Sequence, residues 1–242
     1  MKSIYLKEIT YFFSRSTGSL IVILFLLFSG LIFFGFNSDL NILNNGIASL
    51  ESFFALAPIM LSIFIPLLSM HIFAEEYSLN TIEILLTKPI TIYSIVLAKF
   101  FAILTVIFLS IFPTFIYVLT IYFTGDQIGN IDISATFGSY FGLFLISSLF
   151  ASISIFCSSF TKNQIFAFIT SFVTILIFYF GFDIISRIDF LKDFNFIIYK
   201  MGISSHYKYI SRAFIRFEDV FYFFSVSLFF IHLTKNKLLK KL

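Results

Sequence analysis

Tryptophan is absent from these 242 residues, and cysteine occurs once, at Cys157. A single cysteine excludes an intramolecular disulfide. The three histidines, His71, His206 and His232, are scattered, so no Cys/His cluster has zinc-ligand spacing and no metal site is expected. Without tryptophan, Tyr and Phe must supply any interfacial aromatic belt. Charge is scarce as well: Asp, Glu, Lys and Arg make up 12%, about half the roughly 25% usual in soluble domains. A net charge of +3 gives no basic signature for nucleic acid. The chain has no G-x-x-x-x-G-K-[ST] run and so no P-loop for ATP. It also lacks G-x-S-x-G and H-E-x-x-H, so the common hydrolase and zinc-protease signatures are missing and no catalytic residue is expected.

Hydrophobic residues make up 59% of the chain, 39 of them Phe, and mean hydropathy is +1.01. Six apolar stretches run at about 19–36, 53–73, 100–123, 137–158, 165–182 and 220–234, none with a charged side chain in its interior. A bilayer core of ~30 Å needs about 20 apolar helical residues. Four stretches meet that length; the fifth and especially the last are short. The expectation is an all-α polytopic membrane protein with one domain over 1–242. His232, near the inner end of the sixth stretch, is the only ionisable residue assigned to a span. Ion-coupled carriers place charges inside the membrane, so this chain is not expected to couple to an ion gradient by itself. A cleavable signal peptide is not expected either: the first apolar run begins after 18 residues and no A-x-A-like site follows.

Six spans put both termini on one side. Taking that side as cytoplasmic, ten Lys and Arg lie inside: Lys2, Lys7, Arg15, Lys88, Lys99, Lys162, Lys235, Lys237, Lys240 and Lys241. The outside loops at 37–52 and 124–136 have none, which fits the positive-inside rule. The loop at 183–219 does not fit, because it holds Arg187, Lys192, Lys200, Lys208, Arg212 and Arg216.

That loop has helical periodicity. Ile184, Ile188, Leu191, Phe194 and Ile198 form one apolar series, and Tyr207, Ile210, Phe214, Phe217 and Phe221 a second, separated by Gly202-Ile203-Ser204-Ser205. Two amphipathic helices at, or dipping into, the outer interface account for both the apolar faces and the basic residues. Residues 3–14 predict a shorter inner-surface helix with Leu6, Ile9 and Phe13 on one face and Lys7, Thr10 and Ser14 on the other. Gly138 and Gly142 allow close helix approach, favouring packing within one subunit over a dimer seam. Pro58, Pro66 and Pro113 mark kinks or breaks inside spans.

The informative polar segment follows the second stretch: Glu75-Glu76-Tyr77-Ser78-Leu79-Asn80-Thr81-Ile82-Glu83-Ile84-Leu85-Leu86-Thr87-Lys88-Pro89. It predicts an acidic exit from the membrane, a turn at Asn80 and a short amphipathic helix capped by Thr81 and ended by Pro89. Thr91 then caps the third span. Such an element is either a docking surface or an ordinary inner loop, and the residues alone leave both open.

The run EEYSLNTIEILLTKPI resembles the E-E-x-x-x-G-T-x-E-x-L-L-x-x-P signature of ABC-2 type exporter permeases, with Asn80 where the family usually has Gly. NILNNGIASLESFFALAPIMLSIFIPLLSMHIFAEE, TFGSYFGLF, the TKNQ-plus-Phe turn at 161–166 and SHYKYISR with FEDVFYF are similar to the permeases of gliding-motility ABC transporters. The resemblance implies a permease in the bacterial cytoplasmic membrane with both termini cytoplasmic. It implies that the 75–89 loop is a coupling helix seated on a partner ATPase, which alone binds ATP and Mg. Glu75, Glu76, Asn80, Thr81, Glu83, Lys88 and Pro89 would then contact that partner or shape the contact. A second permease chain, identical or related, would complete the assembly within membrane lipid. Weighed against gliding motility are ABC-2 permeases exporting lipid or polysaccharide or serving metal-enzyme maturation, and a six-span channel or membrane enzyme.

Overall fold

The computed structural model describes residues 1–36, 41, 49–87, 89–124, 131–188, 194–212 and 214–240. Six helical segments are long and apolar enough to cross a membrane: Thr17–Gly35, Glu51–Ser78, Ile92–Thr124, Ile133–Ser158, Gln164–Ser186 and Phe217–Leu239. No strand occurs among the described residues. The last span, short by sequence, begins at Phe217 because Glu218 and Asp219 sit in its first turn, where carboxylates suit the positive end of the helix dipole.

Helix α1 (Lys2–Ser14) precedes the first span, α2 (Thr17–Gly30), which ends in a π turn at Leu31–Gly35. The helix predicted over 3–14 is therefore present, but its buried face differs from the apolar series expected. Ile4, Glu8 and Phe12 turn into the bundle, while Leu6 and Phe13 stay exposed. The helix is apolar on two sides, one meeting protein and one open to lipid, and periodicity alone picks the lipid side.

The second span is divided into α3 (Glu51–Ser69) and α4 (His71–Ser78) at Met70. The short helix α5 (Thr81–Leu86) follows, and the third span joins α6 (Ile92–Ile111) to α7 (Phe115–Thr124) through a 3₁₀ turn containing Pro113. Then come α8 (Ile133–Ser158), α9 (Gln164–Leu176) and, after a π turn, α10 (Phe182–Ser186). Helices α11 (Asn195–Met201) and α12 (Ile203–Ile210) lie before the last span, α13 (Phe217–Leu239). The two expected loop helices are shorter than predicted: the second stops at Ile210, and Phe217 and Phe221 belong to the last span. Leu191, Lys192 and Asp193 lie outside the described residues, as do Lys88 and Lys241.

The core is α8. In the bilayer an unpaired backbone amide or carbonyl is costly, and α8 supplies hydroxyls where its neighbours break. Ser158 Oγ accepts from the amides of Phe73 and Ala74 at 3.2 and 3.3 Å and donates to the Met70 carbonyl at 3.2 Å. Those amides lie in the first turn of α4, which offers them no partner of its own. At the Pro113 turn, the Tyr140 hydroxyl donates to the Thr114 carbonyl at 3.0 Å, and its ring stacks on Phe115 at 4.2 Å. Ser139 donates to the Ser211 carbonyl just past α12 at 2.8 Å.

Gly142 explains how α12 gets so close. A Cβ there would lie 2.5 Å from Ile210 Cγ2. The small-residue motif thus serves packing within the chain, as expected. Gly142→Leu should displace α12 and cost about 1–3 kcal/mol, the usual range for overpacking. Thermal unfolding in detergent reads the loss, and Ile210→Ala added to Gly142→Leu should recover much of it.

Candidate functional site

On the side of the membrane that carries the termini, α4 turns into α5 at Asn80, whose backbone is left-handed at φ 54° and ψ 20°. Asn tolerates this conformation where a β-branched residue does not. The expected turn is therefore present at Asn80. The expected cap is not: α5 begins at Thr81 with Asn80 as its N-cap residue and no side-chain capping bond. The Thr81 hydroxyl instead donates backwards to the Glu76 carbonyl at 3.4 Å, tying α5 to the end of α4. Helix α5 ends at Leu86, before Pro89, and Thr91 caps the third span by accepting from the Ser94 amide at 3.3 Å.

Helix α5 has two faces. Ile82 and Leu85 are buried against the bundle, while Ile84 is 65% exposed and Leu79, just before the turn, 62%. Asn80, Thr81, Glu83 and Pro89 are exposed alongside them. Leu79, Glu83 and Ile84 thus form an outward apolar and acidic patch. Lys88 lies outside the described residues.

Glu75 and Glu76 point the other way. Glu75 Oε1 accepts from Arg15 Nη1 at 2.6 Å, and its other oxygen accepts from the Tyr11 hydroxyl. Burial, then the Glu75 carboxylate, pushes the Tyr11 phenol above its ordinary pKa, and the hydrogen bond to Glu75 does the same for Arg15. The Tyr11 ring stacks on His71 at 5.0 Å, with Phe12 edge-on at 5.1 Å. Glu76 Oε1 lies 2.9 Å from Lys99 Nζ and 3.3 Å from Lys7 Nζ.

Lys99, fully buried in the third span, is the centre of this arrangement. Its ammonium also meets Glu8 Oε1 at 3.0 Å and donates to the Ile72 carbonyl, just past the Met70 break, at 2.9 Å. Three helices therefore converge on one ammonium: α1 through Glu8, α4 through Glu76 and Ile72, and α6 through Lys99. With Lys7, Arg15 and Glu75 the cluster balances three cations against three carboxylates, Lys7 and Arg15 closing it from the exposed side.

This corrects the expectation that only His232 is ionisable within the spans: besides Lys99, His71 lies buried in the second and Asp219 in the sixth. The third span is 33 residues, or ~50 Å at about 1.5 Å per residue, against a hydrocarbon core of ~30 Å. The span is thus longer than the core requires, and Lys99 is its eighth residue, with room to sit outside the hydrocarbon. Taken as an uninterrupted apolar run, the span stops at residue 100 on meeting this charge. The Thr91 cap, which starts a helix running through Lys99, is the signal that extends it; for Glu8 the signal is the buried stripe Ile4–Glu8–Phe12.

The bundle and its projecting, internally braced helix define a polytopic membrane protein. Among the described residues no group of three or more His, Cys, Asp or Glu could hold a metal ion. The chain matches the family described as ABC-2 family transporter protein over residues 3–213, and it belongs to that family. Such chains form the membrane-spanning permease part of ABC transporters, and an ABC ATPase is the partner the family implies. Comparison with curated proteins gives no match.

Removing Lys99 alone leaves two carboxylates facing a buried void. Lys99→Met should therefore cost about 3–5 kcal/mol, seen as a large fall in detergent melting temperature. The triple replacement Glu8→Leu, Glu76→Leu, Lys99→Met should restore most of it, because an apolar set of similar volume replaces the ions without desolvation. At the turn, Asn80→Gly should be near neutral and Asn80→Val should cost about 1–2 kcal/mol, measured the same way.

Proposed function

We propose that this chain is the permease subunit of an ATP-driven ABC-2 transporter in the bacterial cytoplasmic membrane, acting as one domain over 1–242 with both termini cytoplasmic. ATP and Mg are bound and used by a partner ATPase, which seats on the outward face of α5. The observation that carries this reading is the pairing of an exposed Leu79/Glu83/Ile84 patch with an inner face anchored to the spans. Force on the patch reaches α4 through the Thr81–Glu76 hydrogen bond, then α1 and α6 through Lys99. In this reading Glu83, Asn80 and Thr81 contact or frame the partner, Pro89 closes the loop, and Glu75 and Glu76 hold the element's shape from behind.

A second permease chain, identical or related, completes the assembly. The narrower assignment, to the gliding-motility transporter, is supported by the residue pattern over 41–76, 136–144, 161–166 and 205–223. Coupling of hydrolysis to transport or to mechanical change follows from that assignment.

The test is recovery of the ATPase with the tagged permease. Ile84→Asp with Glu83→Lys should abolish co-purification while melting temperature and membrane insertion stay unchanged, because both side chains point outward. Full recovery of the ATPase with this double variant would remove the docking reading. A single Glu83→Lys should show little, since an exposed ion pair contributes about 0–1 kcal/mol.

Orientation is checked by thiol labelling. Cys157 is buried. In a Cys157→Ser background, the exposed position of Lys208→Cys should react with an impermeant maleimide added outside intact cells. Glu83→Cys should react only after the membrane is opened. Ser205, buried at 2% exposure, is unsuited to this use.

A further inference from the structure

Helix α11 has no buried residue although it is largely apolar. Phe194 just before it, and Phe196, Ile197 and Met201 within it, are each more than half exposed. Its depth is set by its neighbours. It folds back along α10, the last turns of the fifth span, and the bend at Gly202 rests against Phe182, where a Cβ would lie 3.1 Å from Phe182 Cβ. Next to it, α12 reaches into the bundle as far as Gly142, ~13 Å from the start of α8 at about 1.5 Å per residue. There the Tyr207 hydroxyl donates to the Phe54 carbonyl at 2.7 Å. The pair folds back onto the bundle, so the bare face of α11 lies along the last turns of the fifth span, at the end of the bundle opposite the coupling element. The fifth span likewise exposes Ile177 and Ile184, and the sixth Phe217, Phe221 and Phe224.

Cations border this face. Lys200 Nζ lies 4.7 Å from the Phe196 ring centre, Lys208 Nζ 6.0 Å from Tyr199, and the Arg216 guanidinium 3.6 Å from Tyr209. Arg187 and Arg216 are matched by Asp183 and Asp219. Among the described residues no ion pair is formed by Lys200, Lys208 or Arg212. Exposed apolar rings bordered by cations that outnumber the carboxylates among the described residues match one kind of neighbour: a lipid with an anionic phosphate headgroup.

We propose that the face formed by α11 and the ends of α12 binds anionic phospholipid of the leaflet opposite the coupling element. Phe196, Ile197 and Met201 pack on the acyl chains, and Lys200, Lys208 and Arg212 meet the phosphates. This accounts for basic residues on the side where the positive-inside rule disfavours them.

The absence of tryptophan makes the test clean. Phe196→Trp gives the full-length protein a single indole, read in vesicles of phosphatidylcholine and phosphatidylglycerol in equal parts, with one or the other lipid brominated. Brominated phosphatidylglycerol should quench it several-fold more strongly than brominated phosphatidylcholine. That preference should fall by up to about fivefold for each of Lys200, Lys208 and Arg212 changed to Gln. Circular dichroism and gel filtration confirm that these surface variants remain folded. Equal quenching by both lipids would overturn the anionic preference. Quenching by aqueous iodide instead would place the face in water, and quenching by neither would mean that protein covers it; each result sinks the proposal.

Discussion

Everything in this molecule answers to one constraint: inside a bilayer no backbone amide or carbonyl can fall back on water. Helices that break must find partners from other helices. The second span breaks at Met70 and the third at Pro113, and both breaks are closed by α8, through Ser158 and Tyr140. A helix that carries such hydroxyls must be surrounded, and α8 is the most buried of the six spans. Ser147 and Ser152 of α8 bond back to their own preceding turn, so they are satisfied without a neighbour and small enough to let other helices approach.

The break at Met70 is also where the fold and the proposed docking element meet. It lies just before the acidic pair Glu75–Glu76. The carbonyl of Ile72, just past it, accepts from the same Lys99 that holds Glu76 and Glu8. The proposed coupling segment is thus not a loose loop. It is an extension of the second span, jointed at Met70, pinned to the third span by an ammonium and to α1 by Arg15 and Tyr11. A buried ion set of this kind adds little net stability compared with an apolar equivalent, but it strongly penalises arrangements in which any one member moves away. It favours motion as a unit.

The spans are legible in sequence because apolar length is a one-dimensional signal and the bilayer sets its scale. The turn at Asn80, the Thr91 cap and the helix between them are legible for a similar reason, since capping and left-handed turns depend on neighbours in sequence. The inward roles of Glu75 and Glu76 are not. An acidic pair at a membrane exit looks solvent-facing until Arg15, Lys7 and Lys99, distant in sequence, are brought to it. Lys99 itself reads as a boundary, because a charge ends an apolar run on paper while a matched charge in a bundle does not end a helix. The buried face of α1 escapes periodicity because both its sides are apolar.

The Glu8–Lys99 pair also orders events during synthesis. The two residues are 91 positions apart, which at ribosomal speed is roughly 5–20 s. Throughout that interval the nascent chain holds a carboxylate on α1 whose buried counter-ion has not yet been made. Helix α1 can dock in its final place only after the third span is threaded into the membrane.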